Sequence, residues 1–260
     1  MKPDIKVLLL GITALAIFAL YYHLDFKIGD GGAEIRKADF QALFTPSASS
    51  IPNTNYKDIK HQTSQDDSKR AQTDSLQNIL FIGDSMLEGL SKRFADYADQ
   101  NRHTLNSIIW YSSTSDTWAN TDTLEYFIKK FEPTYIVICL GSNELFVKDI
   151  SERRQNIRKI VDKLGNLPYV WISPPNWKED TGINDAIITT VGKGRYFDSR
   201  GLDLARKKDH AHPTDAAAAV WMDTIAQWLK SSQCENPLLM EYPEKQGVKR
   251  SLTLLKPYNR

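Results

Sequence analysis

Residues 78–87 read Asn-Ile-Leu-Phe-Ile-Gly-Asp-Ser-Met-Leu. The apolar run 79–82 has the length of one buried strand, and it stops at Gly83, a residue that accepts a sharp turn. After the turn the apolar residues recur with a helical period, at Met86, Leu87, Leu90, Phe94 and Tyr97. The stretch therefore predicts a strand, a turn and a helix, with Asp84 and Ser85 on the turn.

Ser85 has two interpretations. The turn that follows a strand is where open α/β sheets bind their ligands, and the free N–H groups and helix dipole there favour negative charge. A serine at this place can be a nucleophile whose own N–H helps to hold an oxyanion. Serine is also a preferred helix cap, so this stretch alone leaves both roles open.

The whole chain has the composition of a folded protein. It contains 260 residues with a formal net charge of +1, which allows one good-sized domain plus extra segments. There is no basic excess to indicate nucleic-acid binding. The two cysteines, Cys139 and Cys234, lack metal-ligand spacing. Cys139 lies inside an apolar run, which favours a buried thiol over a disulfide.

Residues 7–22 form an almost unbroken apolar run preceded by Lys2 and Lys6. With its flanking residues the run reaches the usable length of a membrane span. The residues that follow it do not resemble a processing site, which favours an uncleaved signal anchor over a cleaved signal peptide. Because positively charged residues flank the cytoplasmic side of a membrane span, the lysines predict a cytoplasmic N-terminus and an exported remainder of the chain. A single-pass membrane protein with a cytoplasmic N-terminus and an exported C-terminal domain is therefore expected.

Composition divides the chain into four parts: a membrane anchor (1–28), a flexible stalk (29–76), a folded domain (77–231) and a C-terminal tail (232–260). Most of the stalk is rich in Ser, Asn, Gln, Asp and Lys, a composition that cannot offset the entropy of ordering. The tail combines prolines and charges with scattered apolar residues. That pattern predicts a loosely attached segment.

Within the folded domain, apolar strands alternate with helical patterns. After the first strand and helix, strands are predicted at 105–111, 135–140, 169–173 and 195–198, and helices at 122–131, 150–164, 183–191 and 213–229. This order predicts a mostly parallel, five-stranded sheet with helices on both faces. Because the carboxyl ends of parallel strands meet at one edge, the residues after them come together there. These residues are Ser85, Ser112, Gly141 and Asn176.

Asp209 and His212 lie three residues apart just before the last helix. At this spacing the carboxylate can orient the imidazole, and the imidazole can then take the proton of Ser85. His210 is a rival base, but it is adjacent to Asp209 and its ring would tend to point elsewhere.

Gly141 and Asn143 follow the predicted strand 135–140. The glycine lets the backbone approach a bound ester, and the Asn143 amide can donate to a developing oxyanion. An ordinary Gly-Ser-Asn turn is the alternative. The polar loop 111–116 can supply one more backbone N–H.

Gly-Asp-Ser after the first strand, Gly-x-Asn after the third and Asp-x-x-His before the last helix resemble the signature blocks of the SGNH (GDSL) hydrolase superfamily, in the same order over residues 78–231. The resemblance implies a flavodoxin-like three-layer α/β/α domain with a Ser-His-Asp triad, an acyl-enzyme and no metal or organic cofactor. It implies Ser85 as nucleophile, His212 as base and Asp209 as orienting acid. Asn143 and the Ser85 N–H are the implied oxyanion donors.

Two positions depart from the family pattern. The second block normally offers a glycine, whereas residues 112–114 are Ser, Ser and Thr, so Ser113 is the expected oxyanion donor. Glu144 follows Asn143 where the family often has Asp, and we expect it to support the site without touching substrate. Such variants resemble the cell-envelope branch that acts on acetylated polysaccharides.

The expected function is an esterase that removes small acyl groups, above all acetyl, from an envelope carbohydrate such as peptidoglycan. Gly141, Trp118 and Trp177 are candidate substrate contacts. The tryptophans can stack on sugar rings, although buried packing is their commoner use. Three alternatives stay open: an O-acetyltransferase supplied by a membrane-bound acyl donor, a lysophospholipase or thioesterase, and a non-catalytic glycan-binding domain.

Overall fold

The computed structural model describes residues 75–258 and the backbone of two short strands further upstream. These strands, β1 (Lys27–Ile28) and β2 (Ala33–Glu34), pair antiparallel and belong to a separate unit, Met1–Asn55. The rest of the predicted anchor, and the rest of the predicted stalk up to residue 74, lie outside the described residues. Among the residues described, no helix is both long and apolar enough to cross a membrane.

The main unit alternates strands with helices. Its strands are β3 (Asn78–Gly83), β4 (Thr104–Trp110), β5 (Tyr135–Cys139), β6 (Tyr169–Ile172), β7 (Tyr196–Phe197) and β8 (Ser251–Leu255). Its helices are α1 (Leu87–Gln100), α2 (Ser115–Ala119), α3 (Thr123–Phe131), α4 (Ile150–Leu164), α5 (Ile183–Val191) and α6 (Asp215–Leu229). Every strand and helix predicted within 77–231 is present, and α2 and β8 are additional.

The six strands of the main sheet are all parallel, in the order β7-β6-β5-β3-β4-β8. Without β8 this is the doubly wound, flavodoxin-like order, which reverses direction between β3 and β5. Gly83, the last residue of β3, pairs with Ile109 of β4 and Cys139 of β5. The central strands therefore end at one level, and the chain segments that follow them meet at the switch point where such sheets bind ligands.

Strand β3 is buried on both faces. Ile79 and Phe81 pack in the layer that contains α1 and α6, whereas Leu80 and Ile82 pack in the layer that contains α3, α4 and α5. All four side chains are at most 1% exposed. The uninterrupted apolar pattern of this strand thus reflects a sheet covered by helices on two sides, as predicted.

The predicted strand count is wrong by one, because the segment after residue 231 is not a loose tail. β8 pairs with β4 from Asn106↔Ser251 to Trp110↔Leu255. Upstream of β8, three side chains are at most 2% exposed within the α1 and α6 layer: Cys234, Leu238 and Met240. β8 itself is a partly exposed edge strand, so it lacks the dense apolar run that marks a central strand.

Both cysteines are buried, and neither forms a disulfide bond in the described part of the chain. Cys139 lies in β5 as the sequence predicts. Cys234 is buried as well, although it was expected in a polar, loosely packed segment.

Gly83 marks the closest approach between β3 and β5. A Cβ atom at this position would lie 1.9 Å from the Cys139 carbonyl oxygen and 2.5 Å from Leu87 Cδ1. The carbonyl belongs to the sheet backbone and cannot turn aside, so the two strands can pair here only around a glycine.

We predict that Gly83→Ala lowers the free energy of unfolding by about 3 kcal/mol or more, because overpacking against backbone cannot relax. The control is Gly201→Ala, where no heavy atom lies within 4 Å of the added carbon and the change should stay within about 0.5 kcal/mol. Chemical denaturation with an unchanged m-value measures both variants. Equal stability of Gly83→Ala and the wild type would contradict this close approach.

Candidate active site

Ser85 lies half-buried on the turn between β3 and α1. Helix α1 begins after Met86, and no side chain makes its N-cap hydrogen bond. The interpretation of Ser85 as a helix cap is therefore wrong. The Ser85 Oγ instead lies 2.8 Å from His212 Nε2.

His212 joins Ser85 to Asp209. Its Nδ1 lies 2.8 Å from Asp209 Oδ2, and because an ionised carboxylate only accepts hydrogen bonds, Nδ1 carries the proton and donates it. Nε2 is then the acceptor for the Ser85 hydroxyl. Hydroxyl, imidazole and carboxylate thus form the arrangement of a nucleophile activated by an oriented base.

Asp209 is kept ionised by its own loop. Its Oδ1 accepts the N–H groups of Ala211 and His212, each at 3.0 Å. These backbone bonds, together with the His212 ring, hold the pKa of the Asp209 carboxyl well below its usual range. The rival base His210 has a left-handed φ of +59° and is exposed, so it takes no part in this chain of hydrogen bonds.

Arg206 supports the loop that carries the base, and sequence reasoning missed it. Its Nη1 donates to the Ala211 carbonyl at 2.5 Å. Its Nη2 contacts the carbonyls of Pro175 and Asn176 at 3.3 and 3.2 Å. The guanidinium therefore ties the loop 209–212 to the loop after β6. No local motif marks such an arginine, because its partners are backbone atoms of separate segments.

Asn143 lies on a 3₁₀ turn, Ser142–Glu144, directly after β5. Its Nδ2 donates one N–H to the Ser113 carbonyl at 3.0 Å, and the amide carries a second N–H for another acceptor. Gly141 precedes the turn with a φ of +124°, which glycine adopts readily. A side chain added at this position would contact apolar protein atoms. Gly141 is thus required for the backbone shape, and its contact with substrate stays a prediction.

The structure contradicts Ser113 as an oxyanion donor. Its N–H donates to the Trp110 carbonyl at 3.1 Å, and the residue is 2% exposed. Within the loop 111–115, Ser112 is the residue whose N–H has no acceptor in the described part of the chain. Ser112 also has a φ of +58°. The family resemblance leads one to expect a glycine in this loop. Ser112 therefore adopts the left-handed conformation that such a glycine would have.

Glu144 binds the loop after β4 to the turn after β5. Its carboxylate accepts the Ser115 N–H at 2.8 Å and the Ser115 hydroxyl at 2.7 Å. Arg153 Nε lies 3.4 Å from the same carboxylate. Burial raises the pKa of Glu144, while the two bonds from Ser115 and the charge of Arg153 oppose the rise. Glu144 thus fixes the position of its neighbour Asn143.

Asp84 is a fully buried carboxyl beside the candidate nucleophile. Its Oδ1 accepts the Met86 N–H at 2.9 Å, whereas Oδ2 makes no hydrogen bond of ordinary geometry within the described residues. Burial is the main cause that raises the pKa of Asp84 to about 7. The charge of Glu144 adds to the rise, and the backbone N–H groups of Met86 and Ser142 oppose it.

The two tryptophans predicted to contact substrate differ in exposure. Trp118 is fully buried in α2, and its Nε1 donates to Ser113 Oγ at 3.0 Å. Its ring therefore cannot stack on a sugar, and that prediction is wrong. Trp177 is half-buried, and its Nε1 donates to the Ser142 carbonyl at 3.2 Å. Trp177 lies beside the turn of Asn143, and its contact with substrate stays a prediction.

No protein-family model and no curated protein matches this chain. Among solved structures, the chain is similar to one of a protein described as belonging to the G-D-S-L lipolytic family, from Desulfitobacterium hafniense DCB-2. The two are 15% identical, the match covers 58% of this chain and 98% of the other, and the TM-score is 0.41. A likeness of this size carries no information about what the present chain binds or does.

We predict that Asp84 makes the protein lose stability as the pH rises from about 4 to about 7. In this range the folded protein keeps the Asp84 proton, whereas the unfolded chain, with a pKa near 3.8, releases it. Rising pH therefore favours unfolding. A pKa raised to about 7 corresponds to about 4 kcal/mol once the folded carboxyl has also ionised.

Urea denaturation between pH 4 and pH 8 tests this, with Asp84→Asn as the comparison. The variant has no titrating group at this position, so its stability should fall less steeply with pH. The pKa of Glu144 is raised as well. Its own titration is common to the two proteins, so that only its coupling to Asp84 contributes to the difference between them. Parallel curves for the two proteins would show that Asp84 is not protonated in the folded state.

Replacing Glu144 by Ala should lower the free energy of unfolding by about 2–3 kcal/mol, because two Ser115 donors lose their acceptor inside the protein. Glu152→Ala is a matched control, since Glu152 contacts the same Arg153 at 3.7 Å but is half exposed. An exposed ion pair of this kind contributes less than about 1 kcal/mol. Thermal or chemical unfolding compares them, and equal losses would mean that the Ser115 contacts contribute nothing.

Proposed function

We propose that this protein is a serine esterase that removes a small acyl group, acetyl above all, from a carbohydrate. The observation that carries the proposal is the continuous hydrogen-bonded chain from Ser85 through His212 to Asp209, with 2.8 Å at each contact. This arrangement lies at the switch point of a doubly wound sheet, where ligands bind in such folds.

In the first half-reaction the Ser85 oxygen attacks the ester carbonyl carbon while its proton passes to His212 Nε2. Ionised Asp209 stabilises the resulting imidazolium. The bond between the carbonyl carbon and the sugar oxygen then breaks, and the sugar leaves as an alcohol with the proton from His212. An acyl-Ser85 ester remains.

In the second half-reaction a water molecule gives its proton to His212 and attacks the acyl-Ser85 carbonyl. The carboxylic acid leaves and the proton returns to Ser85. The negative charge that develops on the carbonyl oxygen in both halves would be held by the N–H groups of Ser85 and Ser112 and by the Asn143 amide. Donors of this kind contribute about 3–4 kcal/mol each in comparable sites.

Hydrolysis is favoured over transfer to a second sugar because solvent reaches the catalytic groups. The side chains of His212 and Asp209 are 30% and 49% exposed. A lipase-type function would need an apolar groove at Ser85. Two cavities in the described part of the chain, of about 310 and 510 Å³, are lined by other residues and include none of Ser85, Asp209 and His212.

The cell-envelope placement of this reaction rests on the sequence. A helix over residues 7–22 would tether the domain to the bacterial inner membrane and expose it to acylated glycans in the periplasm. In this proposal the acylated glycan is the substrate. A membrane-bound acyl donor would be needed only for the transferase alternative.

Ser85→Ala and His212→Ala should each lower kcat/KM for 4-nitrophenyl acetate by at least roughly 1,000-fold, since the nucleophile and its base act as a unit. His210→Ala is the matched control from the same loop and should keep wild-type activity. A fluorophosphonate should react with Ser85 with loss of HF, so that the wild type gains the mass of the phosphonyl group and Ser85→Ala does not. Undiminished hydrolysis by Ser85→Ala, or equal losses for the two histidines, would overturn the proposal.

A further inference from the structure

Phe146, Trp177 and Lys178 form a cluster beside the candidate active site, named here the aromatic–lysine cluster. The Phe146 and Trp177 rings meet edge to face with their centres 6.2 Å apart. Lys178 Nζ lies 4.8 Å from the centre of the Trp177 ring and 5.3 Å from that of Phe146. Both distances are those of a cation–π contact, so the two rings hold the ammonium group in place.

The cluster lies at the carboxyl edge of the sheet, next to the residues that would carry the reaction. Trp177 packs against the apolar layers on both sides of the sheet, which places it over the strand ends. Its indole N–H is bonded to the Ser142 carbonyl, one residue from Asn143. On the other side, Arg206 links the Asn176 carbonyl to the Ala211 carbonyl, one residue from His212.

The backbone around Phe146 is fixed, although the Phe146 side chain is 54% exposed. Thr181 donates its N–H to the Leu145 carbonyl at 2.7 Å and its hydroxyl to the Val147 carbonyl at 2.7 Å. The residues on each side of Phe146 are thereby tied to the loop that carries Trp177 and Lys178. A large apolar ring held in the open by such bonds is preorganised for contact with a ligand.

The charge of Lys178 is not neutralised by an ion pair in the described part of the chain. Glu179 is its acidic sequence neighbour and is exposed. The Asp180 carboxylate is already engaged, because it accepts the N–H groups of Gly182 and Ile183 at the start of α5. An ammonium group held next to an exposed ring can therefore recognise an anion that also has an apolar face.

We propose that the aromatic–lysine cluster is a subsite for a sugar ring that carries a carboxylate, so that the substrate is an acylated glycan containing uronic acid. The apolar face of the sugar packs on Phe146, and its carboxylate accepts a hydrogen bond from Lys178. This inference rests on the proposed esterase function, because it specifies which carbohydrate the same site would take.

Two substrates of equal length separate charge from stacking: O-acetylated trigalacturonate, which is anionic, and O-acetylated xylotriose, which is neutral. Lys178→Met should raise KM for the anionic substrate about five- to tenfold and leave kcat unchanged. The same variant should leave KM for the neutral substrate and kcat/KM for 4-nitrophenyl acetate unchanged. Raising the NaCl concentration from 50 to 500 mM should raise KM for the anionic substrate alone.

Three further variants sharpen the test. Lys148→Met removes another exposed lysine of the loop that contains Phe146 and should have no effect. Glu179→Gln should lower KM for the anionic substrate, since it removes an opposing charge. Phe146→Ala should raise KM for both sugars and leave 4-nitrophenyl acetate hydrolysis unchanged. Equal effects of Lys178→Met on the two sugars, or no effect on either, would overturn the subsite.

A binding experiment tests the subsite independently of the reaction. It uses trigalacturonate without acetyl groups and the Ser85→Ala variant. NMR titration should show weaker binding when Lys178→Met is added. If no acetyl ester is hydrolysed but this difference is present, the proposed activity fails and the subsite stands. If esters are hydrolysed but trigalacturonate binds the two variants equally, the activity stands and the subsite fails.

Discussion

The close approach of β3 to β5 is the constraint on which the rest of the site depends. Their backbones come together at Gly83 because no Cβ separates it from the Cys139 carbonyl. The residues after each strand, Ser85 on one side and Asn143 on the other, consequently leave the sheet side by side. A hydroxyl and an amide that lie 58 positions apart along the chain thus share one edge, and the last helix need only bring the imidazole to them.

Three carboxyl groups around this edge have three different environments. Asp84 is fully buried and has a raised pKa, so it can remain uncharged near the nucleophile. Glu144 is buried too, but hydrogen bonds from Ser115 and the charge of Arg153 stabilise its ionised form. Asp209 is exposed and ionised by backbone donors. Such divergence between titratable groups is typical of sites in which each has a separate task.

The sequence was sufficient for the five strands and five helices predicted within residues 77–231 and for the contact between Asp209 and His212, because each depends on local pattern. The proximity of Ser85 to His212, 127 positions away, was predicted from the shared edge of the parallel sheet and from the family resemblance. A buried run such as 79–82 specifies a central strand, and a three-residue spacing lets Asp209 reach His212 within one loop. The sequence could not predict contacts that are made through backbone atoms of distant segments. Arg206 bonds carbonyls near residues 175 and 211, and no residue pattern encodes them.

The errors have related physical causes. Residue type and position favour Ser113 as an oxyanion donor, but the role depends on where its N–H points, and that N–H donates to the Trp110 carbonyl. Trp118 was a candidate substrate contact because the sequence gives no clear signal for the short helix α2, in which it is buried. Its capping box uses two threonines, Thr114 and Thr117, in place of the usual acidic or amide partner. β8 has only a weak sequence signal, because an edge strand is partly exposed and needs few apolar residues.

The position of β8 has a consequence for the order in which the domain can assemble. Its Ser251 pairs with Asn106 of β4, 145 positions earlier in the chain, so closing this pairing carries a large entropy loss. Long-range parallel pairings of this kind form slowly. Until β8 docks, the N–H and C=O groups along one side of β4 remain open, and an open strand edge is a template for association with other chains. The interval before this last strand arrives is therefore when the folding protein is most exposed to aggregation.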